Sequence, residues 1–393
     1  MRLLEFQAKD IISRYGFKIP RGVIVKRGEE TQLTFSCPCV LKAQIPVGGR
    51  GKSGGILFAN SKKDLEERLS ELFNKRVRGF PVNNVLVEEK LEVSSEYFVS
   101  FIIDNTRRRE ILIFSDKGGV DIEEISRVEP ERVKSVLIKP FIGLQDYEVR
   151  EILSELSITG KRLIGLTGVI QKLYEIFHSV DATILEINPL IETKDGNFYI
   201  ADVHLEIEDE ALPRHPELKK FTSDFEEYIG FRPMTEIEKK AREIDAMDHR
   251  GVAGRFIEFD GNLGLLIGGG GASLTVFDAI RRYGGNPANY CEIGGNPSVK
   301  KVAELTKLLL SKPGVERIAV IMNVVSNTRV DLVARGVIKG ILESGKDPSK
   351  VISVFRIPGA WEDEGIKILE KYGVRYLTRE YSLDDAAKIA VGG

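Results

Sequence analysis

The chain has 393 residues, 42% of them hydrophobic and 30% charged, with a formal net charge of -2. That length predicts roughly two to three domains with cores of their own, and the near-neutral balance excludes a general basic field for nucleic acid or membrane. No apolar run approaches the ~18 to 20 residues that span a bilayer, and three cysteines make neither a disulfide framework nor, as Cys37-Pro38-Cys39 and Cys291, a zinc site.

The first residues lack a signal peptide's continuous apolar core, because Glu5, Lys9 and Asp10 interrupt it. The expected setting is the cytoplasm, with reduced and buried thiols. Residues 5–15 carry Phe6, Ala8, Ile11, Ile12 and Tyr15 at helical spacing, closed by Gly16. An extended run, 22–26, follows Pro20. Next comes an apolar run at Val40 that carries Lys42 into Gly-Gly-Arg-Gly-Lys-Ser-Gly-Gly, 48–55. Glycines there let backbone approach a ligand closely while Lys42, Arg50 and Lys52 supply fixed charge, which is the chemistry of a polyphosphate cradle. A P-loop is excluded: it needs a glycine where Pro46 stands and a helix directly afterwards, whereas Ile56-Leu57-Phe58-Ala59 reads as a strand. Glycines alone would read as a solvated hairpin; Lys42 on the preceding strand tips the reading toward phosphate.

Ser61 caps an amphipathic helix through Leu65, Leu69, Leu72 and Phe73, and 84–88 is a buried strand. Two antiparallel strands, 96–104 and 109–115, lead to a second glycine turn at Gly118-Gly119-Val120. A helical stretch covers 146–180. Strands 182–187 and 198–203 follow, joined through the turn Lys194-Asp195-Gly196-Asn197. That hairpin puts Glu186 and Asn188 near Asp202, oxygen ligands able to hold magnesium against phosphates. Residues 213–247, broken by Pro213, Pro216 and Pro233, read as a linker with a domain boundary near 245.

From there strands and helices alternate in five units, beginning with 263–267 and 274–283, which predicts an open, mostly parallel doubly wound sheet. Ligands of such sheets gather at the carboxyl ends of the strands, where Gly268-Gly269-Gly270-Gly271-Ala272-Ser273, Ser326-Asn327-Thr328 and Arg356 fall. Glycines running into a helix start favour a negative group.

Five segments now carry a resemblance. They are Leu4-Glu5-Phe6-Gln7-Ala8-Lys9, the 48–55 loop, Gly118-Gly119-Val120-Asp121-Ile122-Glu123, Glu186-Ile187-Asn188-Pro189-Leu190 and Gly284-Gly285-Asn286-Pro287-Ala288-Asn289. In order and spacing the chain resembles the β subunit of succinate-CoA ligase. That resemblance implies an ATP-grasp domain with two α+β subdomains over 1–245, linker included, and a flavodoxin-like CoA-ligase domain over 246–393. It implies that Lys42, Gly49, Arg50 and Gly51 hold the phosphates of ATP or GTP, that Glu88 and Leu91 lie at the adenine hinge, that Glu96 meets the ribose, and that Asn188 and Asp202 bind Mg2+. It further implies an acyl phosphate displaced by CoA, and an α subunit that carries a relay phosphohistidine and most of the CoA site. Arg50 and Glu186 are the residues nearest the chemistry, Glu186 to orient the partner's histidine.

The acid pocket departs from that family. Succinate ligases usually carry Asn where Gly268 stands, and a Gly-Gly-Ile type turn near 325–327. Here Gly268, Gly269, Ser326, Asn327 and Thr328, with Asn296-Pro297-Ser298, are more similar to citryl-CoA synthetase and the corresponding part of ATP-citrate lyase. Arg356 suits either acid as a bidentate carboxylate clamp. Succinate, citrate and malate therefore compete as the acid. A non-catalytic nucleotide-binding subunit is the reading from another class, and Lys42, Arg50, Asn188 and Asp202 together argue against it.

Overall fold

A computed structural model describes residues 1–29, 34–222, 228–229, 232–252 and 256–392. The chain divides into two compact units, Met1–Glu226 and Glu227–Gly393. Among the described residues, no helix is long and apolar enough to cross a membrane.

The first unit is built on two antiparallel sheets. The smaller runs Gly22–Lys26, Asn84–Glu89, Cys39–Ala43, Ile56–Ala59 in spatial order, and the helix Lys62–Phe73 follows its edge strand. Ser61 caps that helix by accepting the Asp64 N–H at 3.2 Å. The larger sheet runs Phe198–Ile200, Ala182–Thr193, Val93–Asp104, Arg109–Ser115, Val133–Leu137, with Val203–Ile207 also paired to Ala182–Thr193. Alternation sends Val99, Phe101, Leu112 and Phe114 into one core with Leu166, Ile170, Leu173 and Phe177 of the helix Gly160–Ser179. The single helical stretch expected over 146–180 is two helices, Asp146–Glu155 and Gly160–Ser179, because Ser157 and Gly160 both adopt φ of 63° between them.

The second unit starts earlier than the boundary expected near 245. The helix Glu236–Asp245, with a capping box between Thr235 and Glu238, turns Ala241 and Ile244 into the second unit's core. That part of the expected linker is therefore domain; residues 223–227 and 230–231 lie outside the described set. The sheet is parallel, with Leu263–Gly268, Arg317–Met322 and Ile352–Arg356 adjacent. Parallel bridges Ile267 to Glu292 and Phe355 to Tyr376 extend it on either side. Strand positions thus follow the order second, first, third, fourth, fifth, the flavodoxin-like arrangement. Both faces are covered, so the strands are apolar throughout. Leu265 and Ile267 meet Val276, Ile280, Ala386 and Ala390 on one face. Leu266, Ile318 and Val320 meet Val302, Leu309, Val333 and Val337 on the other.

Candidate active site

A cleft of about 760 Å³ opens in the first unit between the two glycine turns and the 186–204 hairpin. Gly49, Arg50, Gly51 and Lys52 line one wall, and Glu186, Asn188, Asp202 and His204 another, with Gly119 and Val120 between. The first turn folds back on itself: the Gly55 N–H donates to the Arg50 carbonyl at 2.8 Å, and the Ala43 N–H to the Gly55 carbonyl at 2.8 Å. The second turn lies flat on the strand Val93–Asp104. A Cβ on Gly118 would stand 2.6 Å from Tyr97 backbone, so only glycine permits that approach.

Asn188 fixes the second turn. Its Oδ1 accepts the Gly119 N–H at 2.7 Å, its Nδ2 donates to the Val120 carbonyl at 3.0 Å, and its own N–H donates to the Asp202 carbonyl at 3.2 Å. The pairing of Ala182–Thr193 with Val93–Asp104 slips between Ile187 and Leu190, a bulge that re-aims Asn188.

Beneath the cleft floor lies a buried ion network. Lys42 Nζ is 2.8 Å from Glu5 Oε1 and 2.8 Å from Glu88 Oε2, and it also donates to the Ala201 carbonyl. Lys9 Nζ bridges the same two carboxylates, at 2.8 and 2.5 Å. Arg50 reaches Glu5 Oε2 at 2.8 Å through Nη1 and both Asp202 oxygens at 2.7 and 2.8 Å through Nη2. Burial pushes the Glu5 carboxyl up, but the charges of Lys42, Lys9 and Arg50 outweigh it and hold the group well below the usual carboxylate range. Burial likewise works against the charged forms of Lys42 and Arg50, and their carboxylate partners reverse it, so both are held charged. On the opposite wall, burial pushes the Glu186 carboxyl up, with His204 opposing and Asp202 adding to the shift.

The residues singled out from the sequence divide into four groups. Gly49, Arg50, Gly51, Glu186, Asn188 and Asp202 meet in the cleft. Lys42 lies under it. Glu88 stands near the end of the last small-sheet strand and Leu91 in the crossing to the larger sheet, but the Glu88 side chain is committed to Lys9 and Lys42. Glu96 sits beside the second turn, where a Cβ on Gly119 would come within 2.7 Å of its Oε2. In the second unit, Gly268 ends the strand Leu263–Gly268 and Gly269 leads into the helix Gly271–Arg282, where the Gly270 N–H is bonded to Glu292 Oε1 at 2.7 Å. Ser326 and Asn327 are exposed, while Thr328 is buried, accepting the Asn296 N–H at 3.3 Å and donating to Asn327 Oδ1 at 3.2 Å.

Arg356 differs from the expected carboxylate clamp. Its Nε and Nη2 both donate to the Tyr381 carbonyl, at 3.0 and 2.8 Å, and its Nη1 to the Met322 carbonyl at 2.6 Å. Buried among backbone acceptors, its side fork ties the 381 turn to the sheet.

Glu5, Lys9 and Glu292 were missed by reasoning on residue types. A signal did exist: Glu5, Lys9 and Ile12 share the buried stripe of the helix Glu5–Arg14, and a charged pair on an apolar face needs partners of opposite sign.

As a donor set, Asn188 and Asp202 suit magnesium. Among the described residues no group of three or more His, Cys, Asp or Glu converges on a metal position. A pair of hard oxygen donors on a phosphate-sized cleft is what Mg2+ takes when water and phosphate complete its shell.

Two sheets enclosing such a cleft, followed by a doubly wound unit, define an ATP-grasp protein with a flavodoxin-like second domain. Residues 2–192 match the ATP-grasp domain family, and residues 232–376 match the family described as ATP citrate lyase citrate-binding. The succinate–CoA ligase [ADP-forming] β subunit of Ignicoccus hospitalis is 34% identical over 396 residues, covering 100% of this chain and 98% of that one. Its counterpart in Methanocaldococcus jannaschii is 37% identical over 393 residues, covering 99% and 98%. The chain belongs to the succinate–CoA ligase β-subunit family. It also shares its fold with ATP citrate lyase from Methanothrix soehngenii, solved with citrate and coenzyme A, at a TM-score of 0.78, 20% identity, and coverage of 100% of this chain and 99% of that one.

Proposed function

We propose that this chain is the nucleotide-binding β subunit of an ADP-forming acid–CoA ligase, with succinate as the acid. The carrying observation is the convergence of Arg50, Asn188 and Asp202 on one cleft, above Lys42, in a chain that matches the family end to end. Lys42 and Arg50 supply the fixed positive charge that the β- and γ-phosphates of ATP need, and Gly49 and Gly51 let backbone approach them. Asn188 and Asp202 would hold Mg2+, which when bound neutralises charge on the phosphates.

The phosphoryl group leaving this cleft passes to a histidine of the α subunit, the partner that a β subunit implies. Glu186 lies on the cleft wall across from Arg50, its carboxyl raised by burial, positioned to accept an imidazole N–H and set that ring's orientation. The activated acid then forms its thioester with CoA held mainly by the partner. The N–H of Gly271 at the helix start, with Ser326 and Asn327, is offered to the acid.

Citrate is the second reading. It is favoured by the match of residues 232–376 to a citrate-binding family. Thioester formation by the chain with its α subunit, ATP, Mg2+ and succinate, malate or citrate in parallel separates the two. Succinate turnover supports the main reading, and preference for citrate replaces it with the second. No thioester from any acid, with no Mg2+-dependent nucleotide binding, would leave a non-catalytic subunit.

A further inference from the structure

Glu5 answers three cations with one carboxylate. Its Oε1 lies 2.8 Å from both Lys9 Nζ and Lys42 Nζ, and its Oε2 lies 2.8 Å from Arg50 Nη1 and 3.5 Å from Gln44 Nε2. Its side chain is 1% exposed, so water offers these cations no substitute. Arg50 is the junction. On its closed side stands Glu5; on its cleft side stands Asp202, 24% exposed, with both oxygens on Nη2.

A carboxylate whose two oxygens face a guanidinium competes with any metal ion that would take the same oxygens. How firmly Asp202 is held depends on how much of the Arg50 charge is already answered. Glu5 answers it from within the cleft wall, with its side chain almost wholly buried. Resting on the nucleotide reading above, we propose that Glu5 is a positioning residue of the site: it holds Arg50 from beneath and so keeps Asp202 exchangeable toward magnesium. Removing its charge makes Asp202 the sole carboxylate on Arg50 among the described residues, and Mg2+ must then compete harder for it. Asp10 is the control, because it is a carboxylate of the same helix whose partners, Arg14 and Lys220, stand outside the network.

The test is calorimetric ATP binding to the full chain over a series of Mg2+ concentrations, with Glu5→Gln, Glu5→Asp and Asp10→Asn compared with wild type. Glu5→Gln should raise the Mg2+ concentration for half-maximal ATP binding on the order of tenfold, the weight of one charge-assisted contact. At saturating Mg2+ its ATP affinity should return to within about twofold of wild type. Glu5→Asp, shorter by one methylene, should shift the midpoint in the same direction by less, and it carries the test if Glu5→Gln does not fold. Asp10→Asn should leave the midpoint in place. An unshifted midpoint in the Glu5 variants, or an equal shift in Asp10→Asn, overturns the role of Glu5 and leaves the nucleotide site standing. Wild type that binds no ATP at any Mg2+ concentration removes the nucleotide reading and this role together.

Discussion

Replacing Arg356 by alanine removes donors from the Met322 and Tyr381 carbonyls in a buried setting. Stranded acceptors cost about 1 to 3 kcal/mol each, so the urea stability of Arg356→Ala should fall by ~2 to 4 kcal/mol while KM for the acid changes little. A raised KM at unchanged stability would return Arg356 to the substrate. Residue type alone could not decide this, since a guanidinium serves a substrate carboxylate and two carbonyls equally well. The cleft residues were more legible. Arg50 belongs to a short glycine loop, Asn188 to a strand bulge and Asp202 to a short strand connection, places that restrict what their side chains can meet. The partners of Glu5 and Lys9 come from strands distant in sequence, and no local spacing records them.

The helix Val330–Glu343 packs on Val299–Ser311 through two glycines. A Cβ on Gly336 would stand 2.6 Å from Val302 Cβ, and one on Gly340 would stand 2.6 Å from the Ala303 carbonyl. Alanine gains about 1 kcal/mol in helix propensity, but overpacking a fixed contact costs about 1 to 3 kcal/mol. Gly340→Ala meets backbone, which cannot rotate away, so its urea midpoint should fall below wild type; a rise would show that the two helices slide apart freely. The same scale explains what pattern reading gained and lost. Strands such as Arg109–Ser115 and Leu263–Gly268 announce themselves by burial on one or both faces. The helix Ile122–Val128 buries no residue, and Ile122, Ile125 and Val128 are too short a period to stand out. The helix Glu236–Asp245 did carry signals, Thr235 with Glu238 and the spacing of Ile237, Ala241 and Ile244, but Pro213, Pro216 and Pro233 nearby masked them.

Each of the two units has its own buried core, so each should unfold as a cooperative block. Calorimetry should resolve two transitions. ATP with Mg2+ at a hundred times its dissociation constant should stabilise the unit that holds the cleft by about 2.7 kcal/mol, raising one transition. Movement of the other transition alone would place nucleotide in the second unit. On the proposed reading, the ion network also bears on how nucleotide arrives. Lys9, Lys42 and Arg50 face Glu5, Glu88 and Asp202, so the resting cluster sums to zero charge. With a Debye length of about 8 Å at physiological salt, such a cluster projects little field into solution and cannot steer a distant polyanion. Stopped-flow association rates should therefore stay nearly flat between low and physiological ionic strength, and discrimination among nucleotides should reside in how slowly the right one leaves.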